Sequence, residues 1–197
     1  FTYNEDDGGI ELDEAVISIG SDSSPFYADL GYYALPFGVY NTRFLADPLT
    51  LEIGETTENN ITAGYSDDMF ELSASVFNGD VNEAGEDDDN ISKYVLSGSF
   101  NAPENDVLSL SAGGSLISDI ADSDGIQDVV DDTTKDFTMG WSVFVSAGFY
   151  DKVFFDAEYT AASDEIESAG TKLKPEAYNI EVGAALTDEI EAAARYE

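Results

Sequence analysis

Arg43 stands in one segment with four carboxylates, Asp47, Glu52, Glu55 and Glu58. One cation facing several anions across a narrow, water-filled passage creates a transverse field, and such a field selects ions. The plainer reading is a surface loop with one ion pair of little energetic consequence. Residue parity supplies a second group of charges: Glu71, Asp156, Glu158, Glu181 and Glu191 fall on one face together with Lys93 and Arg195. A wall with that excess of acids attracts cations and repels anions, although some of these acids could pair across strands and be purely structural. A third group, Asp122-Ser123-Asp124-Gly125 with Asp128 and Asp131 beyond, alternates oxygen ligands around a Gly turn, as a hard cation such as Ca2+ requires. It lacks the spacing and final Glu of an EF-hand, and an acidic solvated loop is the simpler reading.

Other chemistry is excluded by what the chain lacks. It has no His and no Cys, so Ser-His-Asp catalysis, His-ligated zinc, thiolate metal sites and disulfides are all ruled out. Nothing singles out two of the forty-two acids as a glycoside-hydrolysing pair. The expectation is a non-enzyme with no cofactor other than Ca2+ in its acidic loops. Forty-two acids against seven bases, a net charge of −35, make nucleic acid a poor partner. At 43 % hydrophobic and 12 % aromatic residues the chain is nevertheless too apolar for a solvated acidic tail.

A charged passage needs walls, and the sequence supplies them as strands. Phe70, Leu72, Ala74 and Val76 alternate with Glu71, Ser73 and Ser75, and the same period of two recurs from Phe26 to Ala34, Lys93 to Phe100, Leu108 to Leu116, Phe137 to Ala147, Val153 to Thr160, Tyr178 to Ala184 and Ile190 to Glu197. Leu12 to Ile19 and Asn60 to Tyr65 bring the number to about ten. Long acidic segments, near 1–9, 36–59, 79–91, 118–135 and 162–175, alternate with short turns near 20–25, 66–69, 101–106, 150–152 and 186–189. A soluble sandwich has no reason to sort its connections this way, whereas an up-and-down barrel in an outer membrane has one rim inside and one outside. The polar face is Ser, Gly and Thr with a few acids, which suits a crowded lumen. The apolar face carries Phe26, Tyr65, Phe70, Phe100, Phe137, Phe149, Tyr159, Tyr178 and Tyr196 near strand ends, as aromatic girdles require. The predicted fold is therefore all-β: an antiparallel up-and-down transmembrane β-barrel, with residues 1–197 as one barrel domain or a segment of a larger one. A helical turn is allowed only within 36–59 or 119–131. Arg195-Tyr196-Glu197 reads as mid-strand, and more strands are expected in the full protein.

Four local sequences, taken in order, carry a resemblance: Tyr33-Ala34-Leu35-Pro36-Phe37-Gly38, Asp47-Pro48-Leu49-Thr50-Leu51-Glu52-Ile53-Gly54-Glu55-Thr56, Val76-Phe77-Asn78-Gly79-Asp80 and Ser118-Asp119-Ile120-Ala121-Asp122-Ser123-Asp124-Gly125. Over roughly 25 to 185 the chain resembles the LbtU family of siderophore porins. The resemblance implies an outer-membrane β-barrel larger than this segment and an association with ferric-siderophore uptake. It supplies no mapped binding residues.

The resulting expectation is a passive, cation-preferring channel in the cell outer membrane, in contact with lipid and with small solutes, cations or ferric siderophore, its homo-oligomeric state left open. The alternatives are a non-conducting structural barrel presenting acidic, divalent-cation-binding loops, and a secreted acidic β-sandwich that binds carbohydrate or calcium.

Overall fold

The computed structural model describes residues 2–4, 9–11, 14–85, 91–103, 105–130, 132–150, 152–187 and 189–197. Ten strands form one antiparallel sheet: β1 (Ala15–Ser21), β2 (Ser24–Ala34), β3 (Thr57–Ser66), β4 (Phe70–Phe77), β5 (Lys93–Asn101), β6 (Leu108–Ile117), β7 (Gly140–Phe149), β8 (Val153–Ala162), β9 (Glu176–Ala185) and β10 (Glu191–Tyr196). Each strand pairs with its neighbour in sequence, so the order in the sheet is the order in the chain. Among the described residues β1 and β10 are its two edges. No helix among these residues is long and apolar enough to cross a membrane.

Period-2 alternation fixes the register, because a one-residue slip would move a strand's whole apolar set to the other face. Ala28, Ala63, Ala74, Leu96, Leu116 and Trp141 form one continuous row from β2 to β7. The opposite face carries a row of small polar side chains, Ser73, Ser97, Ser115, Ser142 and Thr160. The usual burial is inverted. Val143 is 49 % exposed and Leu72 53 %, while Glu181 on the polar face is 0 % exposed and Glu158 6 %. The polar face is the inner one, because the chain folds back over it.

All the short connections lie at one end of the sheet and the long ones at the other, as the sequence predicts. In the turn after β3, Asp67 Oδ1 accepts from the N–H groups of Met69 and Phe70. After β5, Asn105 Oδ1 does the same for Val107 and Leu108. Both are side-chain mimics of a backbone turn. The acidic run at 86–90 and Asp131 lie outside the described residues, as does half of the segment before β1.

The long segments pack on the inner face as a cap. Residues 118–139 carry a 3-10 turn (Ile120–Asp122) and a helix (Asp124–Val130), within the range where the sequence allows a helical turn. Asp119 caps the 3-10 turn through Ala121 N–H. A parallel bridge joins Thr133–Thr134 to Asn82–Glu83, and Ile166–Ser168 pairs with Thr171–Leu173. Ile120, Ile126, Val130 and Ile166 from these loops bury against Phe77, Val95 and Ile117 from the wall, with Leu35 and Phe37 at the end of β2. Each large side chain so buried contributes roughly 1.5–3 kcal/mol.

A cluster of charged groups lies inside this apolar contact. Lys93, only 3 % exposed, sits with its ammonium 2.6 Å from Asp122 Oδ2 and 3.2 Å from Asp119 Oδ2, and it donates to Val81 O. The Phe137 ring, read from the sequence as part of a girdle, instead lies in the loop with its centroid 4.6 Å from that ammonium. Removing one partner of a buried pair leaves an uncompensated charge. Lys93→Met is therefore expected to lower stability by about 3–5 kcal/mol in urea unfolding. A loss below about 1 kcal/mol, the scale of an exposed pair, would contradict the placement.

Candidate functional site

Between β2 and β3 the chain does not turn directly. Residues 35–56 run as a strap across the inner face from β6 to β10 and then return. Its ends are set in apolar packing through Leu35, Phe37 and Ile53. Its middle is held by polar side chains of the wall, one strand after another. Ser115 Oγ on β6 accepts from Gly38 N–H at 2.8 Å. Glu158 on β8 accepts from Val39 N–H at 2.9 Å and from Tyr40 N–H at 2.8 Å, one bond to each oxygen, and also from Ser142 Oγ at 2.8 Å. Glu181 on β9 accepts from Thr42 Oγ1 at 2.7 Å and from Arg43 N–H at 2.9 Å. Asn41 donates its side-chain amide to Ser146 Oγ, and Asn179 donates to Asn41 O. On β10, Arg195 donates to Ala46 O at 2.8 Å and lies 3.7 Å from Glu181 Oε1.

The strap's own sequence permits this path. Gly38 has φ of 77°, the left-handed region open to glycine, and Tyr40 takes φ of 54°. A non-glycine residue holds that conformation only when its surroundings over-determine it, and the bond from Tyr40 N–H to Glu158 is one such constraint. The Tyr40 ring fits between two glycines: a Cβ on Gly38 or on Gly54 would lie 2.2 Å from its atoms. Burial pushes the Tyr40 phenol well above its usual range, with the Glu158 charge adding to the effect.

Arg43 turns toward the short-turn end of the sheet. Its guanidinium lies 3.8 Å from the Phe154 ring centroid, 3.2 Å from Glu191 Oε1 and 3.8 Å from Asp156 Oδ2. It borders a cavity of about 940 Å³ whose polar lining includes Asn101, Ser111, Ser146 and Asp156. The ion partners of Arg43 come from the wall, not from its own segment. Asp47 and Glu52 are exposed on the strap's return limb. Glu55 is half-buried, its carboxyl raised first by burial and then by the nearby Asp124. Glu58 is buried at the start of β3, at the cap end. Glu71 is exposed on the inner face, in register with Ser66 and Ser99. Asp156, Glu158 and Glu181 thus meet the strap, whereas Lys93 and Glu58 belong to the cap.

The three acids read as a calcium loop do not share a ligand sphere. Asp122 Oδ1 accepts from Val81 N–H and its Oδ2 faces Lys93. Asp124 accepts from Thr57 N–H and Oγ1, and Asp128 is exposed on the helix. Among the described residues no group of three or more His, Cys, Asp or Glu is arranged to hold a metal ion. Sequence reasoning missed Ser115, Ser146 and Asn179 as strap anchors and Asp119 as a partner of Lys93. The one available signal was Asp119 at the start of a helical turn, which is a common capping position.

The chain is 26 % identical over 188 residues to a UPF0422 protein of Coxiella burnetii (strain RSA 493 / Nine Mile phase I), covering 89 % of this chain and 40 % of that protein. The chain thus spans about two fifths of its relative's length. No family model matches the chain. No solved structure matches it.

Glu158→Ala removes the acceptor of two strap N–H groups. Hydrogen bonds to a charged acceptor contribute about 1.5–3 kcal/mol each. Amide exchange at Val39 and Tyr40 is therefore expected to accelerate by about ten- to a hundredfold, and less in Glu158→Gln, which keeps one oxygen. Unchanged exchange in the Ala variant would mean that the strap is held elsewhere.

Proposed function

We propose that this chain forms part of the wall of an outer-membrane β-barrel whose lumen is narrowed by the 35–56 strap and passes small cations by diffusion. One observation carries the reading: the sheet exposes its apolar face and folds the strap over its polar one. Water disfavours such an arrangement and lipid favours it. Aromatic pairs lie toward both ends of the exposed face, with Phe26–Tyr65 and Phe70–Phe100 near the short turns and Trp141–Tyr159 near the long loops. The eight-residue step from Trp141 to Phe149 is about 26 Å along the strand. Tilted as barrel strands are, it covers about 20 Å, close to the apolar band of such proteins. An open sheet edge is not tolerated in hydrocarbon. The edges at β1 and β10 are accordingly where further strands would pair to close the barrel, as befits a chain that aligns with part of a longer relative.

Cation preference follows from the charges at the strap. Asp156, Glu181, Glu191 and Glu197 surround the two bases, Arg43 and Arg195, and Glu158 adds a further acid under the strap. The motifs shared with siderophore porins, Asp47 to Thr56 among them, lie in the strap and the cap, and ferric siderophore is the cargo that this likeness suggests. A second reading, a structural barrel without conductance, is favoured by the cap, which packs the long loops onto the inner face.

The two readings separate in a planar bilayer. The full-length protein is expected to give stable conductance with a reversal potential toward that of the cation. Glu191→Lys, at an exposed carboxylate beside Arg43, is expected to lower the cation-to-anion permeability ratio at least about twofold. Folded protein that never conducts would favour the structural barrel, and conductance with unaltered selectivity would remove Glu191 from the passage.

A further inference from the structure

The cap is pinned to the wall by a charge cluster with more acids than it can neutralise. Two buried carboxylates, Asp119 and Asp122, hold one buried ammonium, Lys93, and a third buried carboxylate, Glu58, lies near enough to feel the charges of Asp80, Asp122 and Lys93. These groups come from β3, the segment after β4, β5 and the segment after β6, so the cluster lies where the cap meets the wall. The approach is close by construction: a Cβ on Gly79 would lie 2.3 Å from the Asp122 carboxylate, so only glycine admits that carboxylate there.

Buried charges persist only when paired, and otherwise a group takes up or releases a proton to become neutral. Lys93 neutralises one carboxylate. Were Glu58, Asp119 and Asp122 all ionised, the site would hold two uncompensated negative charges away from water. We infer that this cluster is a proton-dependent latch, in which a retained proton lets the 118–139 segment stay seated on the wall and its loss loosens the cap. Among the described residues the acids facing the titrating groups are Glu58, Asp80, Asp119 and Asp122, and the base is Lys93, under the Phe137 ring.

The direction can be worked out from Asp122. Burial pushes its carboxyl up to about 7 despite the pull of Lys93, and Asp119 adds to the rise. Asp119 itself is raised, also by burial. A carboxyl raised in the folded state stabilises the fold in its protonated form. That contribution is complete below the unfolded value near 3.8 and is lost as pH climbs through about 7. The latch therefore tightens in acid and slackens toward neutrality, the opposite of an ordinary ion pair. The inference rests on buried charge and not on the channel reading.

Hydrogen exchange of the full chain, corrected for intrinsic rates and followed from pH 5 to pH 8.5, tests it without any conductance measurement. Protection of the Ile120–Val130 amides is expected to fall by up to about tenfold per pH unit from pH 5 to 7 and to level off above. Asp122→Asn removes the titrating group and is expected to flatten the profile. If that variant fails to fold, Glu58→Gln removes one competing acid while leaving both Lys93 partners. It is expected to raise protection at pH 8 at least about threefold. A wild-type profile flat across the range, or one that Asp122→Asn or Glu58→Gln leaves unaltered, would overturn the latch.

Discussion

A sheet with its polar side chains folded inside and its apolar side chains bare cannot draw its stability from a single buried core. Here the apolar face runs unbroken from Ile19 through Leu72, Leu96, Leu116 and Val143 to Val182, and no other part of the described protein covers it. Everything on the other side follows from that constraint. The inner face must satisfy many polar groups in little space, and it does so with small hydroxyls in register and with main-chain N–H groups brought to the carboxylates by the strap. Ser142, hydrogen-bonded to both Glu158 and Thr160, belongs to the same network.

The strap and the cap use charge differently. Glu158 and Glu181 are buried, but each accepts several hydrogen bonds from the strap, and Glu181 also has Arg195 nearby. Their role in the fold is to position the strap. In the cap, Asp119 and Asp122 share one lysine inside an apolar cluster, where the desolvation of charge weighs most. The strap is thus held by bonds that water can replace, while the cap depends on the proton content of one cluster.

Much of the fold was legible because a strand has an exact period of two. The pattern from Phe70 to Val76 allows one face assignment, and each hairpin hands that assignment to the next strand. The alternation of long and short connections was legible for the same reason. Arg43 was less so. Its nearest acids in sequence, Asp47 and Glu52, are not its partners, because the strap carries it across the sheet to Asp156 and Glu191, more than a hundred residues away. Nor does sequence separate Lys93 from Arg195, which share the inner-face parity. Only the folding of the long loops decides that one is sealed under a cap and the other borders the strap. The spacing of Asp122, Asp124 and Asp128 suits a metal loop, but the turn at Asp119–Ser123 sends the first toward Lys93 and the second toward Thr57.

The exposure of the apolar face to lipid can be measured with the chain's single tryptophan, Trp141, which stands on that face in register with Leu116 and Ala161. The protein would be folded into vesicles of ordinary lipid and of lipid brominated along its acyl chains, and Trp141 emission compared, with aqueous acrylamide as the second quencher. Strong quenching by the brominated lipid with weak quenching by acrylamide is the expected result. Emission untouched by the lipid bromines but readily quenched from water would mean that the apolar face does not meet a bilayer, and the barrel reading would fall.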